Sequence, residues 1–282
     1  MLSEAQRRQW QDEGCLVWPG FKAPHEVAAL RERARQLVES SAPAPQGGVF
    51  STRDRARLAD DALIASATEV HAFFEEEAVD GEGGLRVPRA QAINKIGHAL
   101  HDRDPVFDRF SRDPRLAALV QALGVRQPQL WQSMLIFKQP RIGGEVTWHQ
   151  DATFLGTEPH SVVGLWFALE EATLDNGCLW IEPGGHRGPL RERFVRDETA
   201  GVRLRMEALD ATPWPTPERA RPLPVPAGTL VVLHGLLPHC SAPNRSATSR
   251  MAYTLHLTDG RSRYSPRNWL QRGPAMPVRG FD

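Results

Sequence analysis

The chain has 282 residues and 34 basic against 34 acidic side chains, with 41% hydrophobic and 24% charged residues. That composition excludes a disordered chain, because enough apolar surface is present to offset chain entropy. The zero net charge argues against a nucleic-acid binder, which carries a basic excess. Only Lys22, Lys95 and Lys138 are lysines, so the basic residues are overwhelmingly arginine. Three cysteines, Cys15, Cys178 and Cys240, cannot form a disulfide framework and suit a reducing compartment.

Along the chain, Ser3 followed by Gln6 reads as a capping box opening a short helix that Gly14 stops. Residues 1–8 have no apolar h-region, so no signal peptide is expected, and no apolar run reaches the ~18 residues of a membrane span. The expectation is a cytoplasmic protein. Cys15–Trp18 reads as a strand. Pro24 can open a helix in which Val27, Leu30, Ala34, Leu37 and Val38 recur at helical spacing to about Ser40. Residues 41–48 read as a loop. Glu75, Glu76 and Glu77, with Asp80 and Glu82, read as a solvated acidic face beside an Asp80-Gly81 turn. Pro114 opens a further helix through Leu116, Leu119, Val120 and Leu123, stopped by Gly124.

From about Leu130 short strand-like runs alternate with Gly, Pro and Asn turns. They are 132–138, 146–149, 162–170, 178–182, 202–209, 228–234 and 251–258. This pattern predicts a mainly β sandwich or barrel, with a helical portion (about 1–125) packed on one sheet of a core at about 126–260, all in one domain. The Pro-rich stretch 213–226 reads as a loop or insertion between strands. No internal repeat is present.

The most informative segment is Trp148-His149-Gln150-Asp151. Residues two apart in a strand point the same way, so His149 and Asp151 can converge on one metal ion. A second imidazole would complete the two-histidine, one-carboxylate facial set of non-haem Fe(II) oxygenases. His-x-Asp is weak alone. It gains weight from the apolar strand 228–234, which leads through Gly235 and Pro238 to His239, then Ser241, and Arg250 on the next strand. His234 lies within the apolar strand and reads as a core histidine, so His239 is the preferred ligand. Arg250 is placed to clamp a carboxylate in a bidentate pair. A metal with open positions and a buried carboxylate clamp describe a pocket for a 2-oxo dicarboxylate.

Several motifs together carry a resemblance over almost the whole chain, from near Gly14 to near Leu270. They are Ile93-Asn94-Lys95-Ile96-Gly97-His98-Ala99-Leu100, Gln132-Ser133-Met134, Ile136-Phe137-Lys138-Gln139-Pro140 and Gly143-Gly144-Glu145-Val146. His149-Gln150-Asp151-Ala152, Asn176-Gly177-Cys178-Leu179-Trp180, Pro183-Gly184-Gly185-His186, Tyr253-Thr254 and His256-Leu257 complete the set. On these the chain resembles the phytanoyl-CoA dioxygenase family of Fe(II)- and 2-oxoglutarate-dependent oxygenases. The resemblance implies a double-stranded β-helix (jelly-roll, cupin-like) core and His149, Asp151 and His239 as iron ligands. It implies Arg250 on the distal carboxylate of 2-oxoglutarate with Ser241 hydrogen-bonded to it, and Lys95, Met134, Gln150 and Trp166 lining the co-substrate pocket. Fe(II), 2-oxoglutarate and O2 are the implied cofactors, with succinate and CO2 as co-products. Related halogenases carry a small residue at the carboxylate position; Asp151 therefore points to hydroxylation.

The expected partner is a small-molecule substrate, with no nucleic acid and no membrane; a monomer is compatible with the sequence and the oligomeric state is left open. No CoA-binding signature stands out. A facial-triad hydrolase or isomerase and a non-catalytic metal or 2-oxoglutarate sensor are the competing classes. Among other residues, His186 reads as a turn histidine and Cys240 as facing the core, opposite His239. His98 and His101 read as substrate contacts or as exposed. Trp148, Phe137, Ile96 and Phe154 read as core aromatics and aliphatics before a substrate wall. Arg261, Arg263 and Arg267 read as solvated residues ahead of Trp269.

Overall fold

A computed structural model describes residues 2–41, 48–50, 61–80, 82, 84–197 and 203–282. Helix α1 (Glu4–Glu13) begins at Ser3, whose hydroxyl accepts from the Gln6 amide while the Gln6 side chain accepts from the Ser3 N–H, as the capping box predicts. It ends at Gly14, whose φ of 73° is the left-handed conformation a helix C-cap favours. Further helices are α2 (Pro24–Ser40), α3 (Asp61–Ala65), α4 (Leu100–Arg103), α5 (Pro105–Ser111) and α6 (Pro114–Ala122). The strands are β1 (Cys15–Trp18), β2 (Val49–Phe50), β3 (Val70–Glu75), β4 (Ile93–His98), β5 (Pro128–Lys138), β6 (Val146–His149), β7 (Thr157–Glu158) and β8 (Val163–Ala168). They continue as β9 (Leu179–Ile181), β10 (Glu192–Asp197), β11 (Arg203–Ala208), β12 (Arg221–Leu223), β13 (Leu230–His234), β14 (His239–Ser241), β15 (Arg250–Asp259) and β16 (Arg263–Tyr264).

An eight-stranded sheet runs β1-β13-β8-β15-β5-β4-β3-β2, and a four-stranded sheet runs β12-β9-β14-β6. Period-two alternation assigns the two faces of the large sheet. Val163, Leu165 and Phe167 of β8, Leu230 and Val232 of β13, and Tyr253, Leu255 and Leu257 of β15 share one apolar cluster with the helices. Val27, Leu30, Phe107, Leu116 and Leu119 come from α2, α5 and α6. The alternate residues Trp166, Ala168, Val231, Leu233 and Ala252 join Leu179, Ile181 and Leu223 of the small sheet in a second cluster. Both faces of the central strands are therefore covered, which is why β8 and β13 read as continuous apolar runs. The result is the expected mainly β, sheet-on-sheet architecture with helices on one face.

The N-terminal portion is less helical than expected, because it holds three strands beyond the anticipated β1. It supplies β1 to β4, four of the eight strands of the large sheet. All six residues of β4 are buried, so no polar–apolar alternation marked it as a strand. The acidic run is corrected too. Glu76 and Glu77 are exposed, but Glu75 is 2% exposed and accepts hydrogen bonds from Asn94 Nδ2 (2.7 Å) and the Gly144 amide (2.9 Å). Residues 42–47 of the expected loop, Gly81 of the expected turn and Val202 lie outside the described residues. The Pro-rich stretch contains a short 3-10 turn (Pro217–Arg219) and β12 within its loop.

Candidate metal centre

His149 ends β6 and His239 opens β14. Antiparallel pairing places them directly opposite each other, with ring centroids 4.1 Å apart. Asp151 lies two residues beyond His149, at the start of a 3-10 turn. One ligand atom from each of the three residues falls within 4.8 Å of the other two. His239 Nε2 is 3.6 Å and His149 Nε2 3.9 Å from Asp151 Oδ1, too long for hydrogen bonds. The far side of each ring explains the gap. His149 Nδ1 is 2.9 Å from the Thr147 carbonyl oxygen and His239 Nδ1 is 2.9 Å from that of Leu237. A carbonyl only accepts, so each Nδ1 carries a proton and each Nε2 is the ring nitrogen left to face the gap. Burial, with His239 as its neighbour, holds the His149 imidazole down to about 3, so it is neutral. Burial pushes the Asp151 carboxyl upward, but the imidazoles of His256 and His239 outweigh it and keep the group below the usual carboxylate range. Two imidazoles and a carboxylate facing one gap fit a divalent transition metal.

His256, not singled out as a site residue in the sequence, is the nearest group to the carboxylate. Its Nε2 lies 3.2 Å from Asp151 Oδ1. Gln132 Nε2 lies 3.3 Å from His256 Nδ1, which must then accept, leaving the proton on Nε2 to be donated to Asp151. Asp151 Oδ2 is buried without a hydrogen-bond partner. It sits where a Cβ on Gly164 would come within 2.5 Å of it, so a side chain at this strand position would displace the carboxylate. The signal for His256 was cross-strand: β15 pairs His256 with Gly164 of β8, a register invisible before the sheet is assembled.

The triad opens onto a cavity of about 200 Å³. Arg250, Ser241, Lys95, Met134 and Trp166, all named as site residues from the sequence, line it. Arg250 is 1% exposed. Its Nε and Nη2 donate to the Gly177 carbonyl (3.1 and 2.9 Å) and Nη2 also to Ser241 Oγ (2.9 Å), while Nη1 is buried with no partner. Burial lowers the guanidinium to about 10. Lys95 Nζ stands 3.4 Å from the Phe50 ring centroid, and burial pulls the amine down to about 7. Lys138 lies behind the site, donating to the Ser241 and Ala242 carbonyls (3.2 and 2.8 Å).

Gln150 is the exception among the expected co-substrate residues. It is fully buried and absent from the cavity wall. Its amide nitrogen donates to the carbonyls of Pro189 (3.0 Å) and Leu236 (2.8 Å), and its oxygen accepts from the Arg191 amide (2.9 Å). Strand alternation turns it away from the face that carries His149 and Asp151. It braces the segment before His239 against the segment holding the other two members of the triad.

The remaining candidates separate cleanly. His234 accepts from the Leu236 amide (3.1 Å) and packs against Trp10 and His186, away from the cavity. Cys240 is half-buried and borders the cavity, in place of the core position expected for it. His101 is fully buried and bonded to Ser133 (2.8 Å), and His98 is buried in the cavity wall, so neither is exposed. Trp148 and Phe154 line the cavity, whereas Phe137 and Ile96 belong to the helix-side core. Arg261 and Arg267 pair with Asp259 (2.7 Å) and Glu207 (2.6 Å) at the surface, and Arg263 is exposed. No helix among the described residues is long and apolar enough to cross a membrane.

A family model described as phytanoyl-CoA dioxygenase matches residues 10–252. A rice protein named phytanoyl-CoA dioxygenase 1 is 44% identical over 281 residues, covering 98% of this chain and 97% of that protein. A mouse protein named phytanoyl-CoA dioxygenase domain-containing protein 1 is 42% identical over 286 residues, with 98% and 97% covered. Among solved structures, the epimerase SnoN in complex with Fe3+, alpha ketoglutarate and nogalamycin RO superposes with a TM-score of 0.64 at 16% identity, covering 98% of this chain and 97% of that one. At that identity the likeness speaks for the fold.

Proposed function

The chain belongs to the phytanoyl-CoA dioxygenase family, and from that premise we propose that it is an Fe(II)- and 2-oxoglutarate-dependent oxygenase that hydroxylates a small organic or acyl substrate. The observation that carries this reading is the pairing of the His149–Asp151–His239 gap with the unpartnered Arg250 Nη1 in one cavity. A buried guanidinium with a free N–H is costly unless a ligand completes it, and a carboxylate matches its fork.

In this reading His149, Asp151 and His239 hold the iron. Arg250 binds the distal carboxylate of 2-oxoglutarate, and Ser241, already bonded to Nη2, orients the guanidinium. Lys95 adds a second cation, while Met134 and Trp166 form the apolar wall beside the co-substrate chain. Iron and 2-oxoglutarate held there would supply oxidising chemistry in which one oxygen atom of O2 enters succinate as the co-substrate loses CO2, and the other is inserted into a substrate C–H bond. The protein positions both organic molecules and excludes water. Phe154, Phe194, Met206 and Trp269 supply the water-excluding wall. Asp151 occupies the carboxylate position, which supports hydroxylation over halogenation.

The test is an anaerobic titration of the Fe(II)-loaded protein with 2-oxoglutarate, followed by visible absorbance. A weak charge-transfer band is expected, with substrate-stimulated succinate release thereafter. No band in protein that demonstrably holds iron overturns the reading and leaves a hydrolase or isomerase in its place. A band without succinate release under a broad substrate screen favours a sensor.

A further inference from the structure

His98 lines the cavity at the end closed by Trp269 and Phe73, is 2% exposed, and takes no part in the iron or co-substrate sites described above. Its hydrogen bonding has a direction. Ser66 Oγ lies 2.6 Å from the Leu63 carbonyl oxygen, and that contact requires the hydroxyl proton to point at Leu63. Without it two sets of oxygen lone pairs would face each other at 2.6 Å. Ser66 Oγ also lies 2.8 Å from His98 Nδ1, and with its one proton already donated it can only accept there. His98 Nδ1 therefore carries the ring proton and Nε2 does not.

The ring is held in this orientation on all sides. Trp269 meets it edge-on at 5.0 Å and Phe73 at 5.8 Å, and the His98 amide is anchored to the Ser66 and Glu69 carbonyls (3.1 and 3.2 Å). Turning the ring over would take Nδ1 away from Ser66. Nε2 has no hydrogen-bond partner among the described residues, although the side chain borders the cavity. Burial, and next to it the cationic neighbour Lys95, keep this imidazole well below its usual range, so it stays neutral.

We infer that His98 is a substrate-recognising residue whose unprotonated Nε2 accepts a hydrogen bond, so that the prime substrate brings a hydroxyl or N–H donor into the end of the cavity walled by Trp269. Leu63, Phe194, Met206 and Trp269 surround that end. A purely hydrocarbon group placed there would leave the acceptor buried and unpaired, and would be discriminated against for that reason. This deepens the oxygenase reading and rests on it only in taking the cavity as the substrate pocket.

The experiment uses the full chain labelled with 15N-histidine and loaded with diamagnetic Zn(II). Long-range 1H–15N correlations, assigned with His98→Phe, report the proton on each ring nitrogen. The expected result is a protonated Nδ1 and a bare Nε2; an Nε2–H tautomer or an imidazolium overturns the inference. Cyclohexanol and methoxycyclohexane, added with 2-oxoglutarate, then serve as probes with and without a donor. Cyclohexanol should shift the Nε2 resonance and bind at least about fivefold more tightly, the equivalent of one hydrogen bond. His98→Phe should erase that preference. Equal binding, or binding of neither, overturns the inference. Ser66→Ala provides a second variant that leaves the imidazole in place; it should populate the Nε2–H tautomer, and an unchanged tautomer overturns the argument. None of these readouts involves iron chemistry. A missing charge-transfer band with the expected tautomer therefore sinks the oxygenase reading alone, and the converse result sinks this one alone.

Discussion

His256 Nε2 lies closer to Asp151 Oδ1, at 3.2 Å, than either imidazole of the triad does. The carboxylate is thus aimed by a histidine outside the triad, itself oriented by the Gln132 amide. Groups in this position commonly contribute about 10- to 100-fold to metal affinity. His256→Leu should weaken Fe(II) binding by that order, and His256→Gln should recover part of it. Anaerobic competition against a chromophoric chelator measures both. Unchanged affinity in a folded His256→Leu variant removes the role.

Gly164 tests the same carboxylate from behind. A methyl group there meets Asp151 Oδ2 at 2.5 Å on an interior strand of the large sheet. Gly164→Ala should cost about 1–3 kcal/mol of stability, as overpacking does. Iron affinity should fall more steeply than stability, because the displaced atom belongs to a proposed ligand. Urea unfolding and the chelator competition, run on one preparation, separate the two effects.

Arg250→Ala removes the only charge in the Arg250–Ser241–Gly177 group. Loss of one partner of a buried charge pair costs about 2–5 kcal/mol, so the apparent KM for 2-oxoglutarate should rise by roughly 30-fold or more. Iron affinity should stay close to that of the parent. Arg250→Lys should recover only part of the loss, since it keeps the charge without the fork. An unaltered KM in Arg250→Ala contradicts the carboxylate clamp.

The proposed place of Lys95 beside the co-substrate predicts that 2-oxoglutarate binding depends on pH. Burial lowers its amine from 10.5 to about 7. Between these values the unfolded chain holds a proton that the folded chain gives up. This group's contribution therefore favours folding increasingly as pH rises from 7 to 10.5, and its burial penalty is complete below 7. A carboxylate brought beside it restores the charge, so 2-oxoglutarate should take up a proton on binding at pH 8. Calorimetry in two buffers of different ionisation enthalpy reads that proton. Lys95→Met should abolish the uptake; persistence of the uptake in that variant assigns the proton elsewhere.

Gln150→Leu breaks three buried hydrogen bonds and leaves backbone groups of Pro189, Leu236 and Arg191 unpaired. A stability loss of about 2–4 kcal/mol is expected, with the KM for 2-oxoglutarate unaffected. A raised KM at unchanged stability would return Gln150 to the co-substrate pocket.

Much of this was legible because local chemistry and tertiary placement agreed. Ser3 and Gln6 form the box their spacing predicts. His149 and Asp151 share a face because they are two apart, and β13 announces itself through the apolar run Leu230-Val231-Val232-Leu233. The illegible parts depend on partners distant in sequence. Glu75 looks like the first member of a charged surface run until Asn94 and Gly144 supply its donors. Gln150 sits between two proposed ligands, yet alternation sends it to the opposite side, where only the folded loops reveal its acceptors. His256 acquires meaning once β15 and β8 are paired, and His98 once Ser66 fixes its proton.

The strand order also bears on how the molecule is made. β1 pairs with β13 through Cys15 and Leu233, roughly 220 residues apart. At about 5–20 residues per second of synthesis, β1 leaves the ribosome on the order of ten to forty seconds before its partner exists. Leu16, fully buried in the finished fold, has no sheet to enter during that interval. His149 waits in the same way for His239. A nascent chain can therefore offer iron at most part of the proposed binding set until β14 has been made, which ties metal acquisition to the assembly of the small sheet.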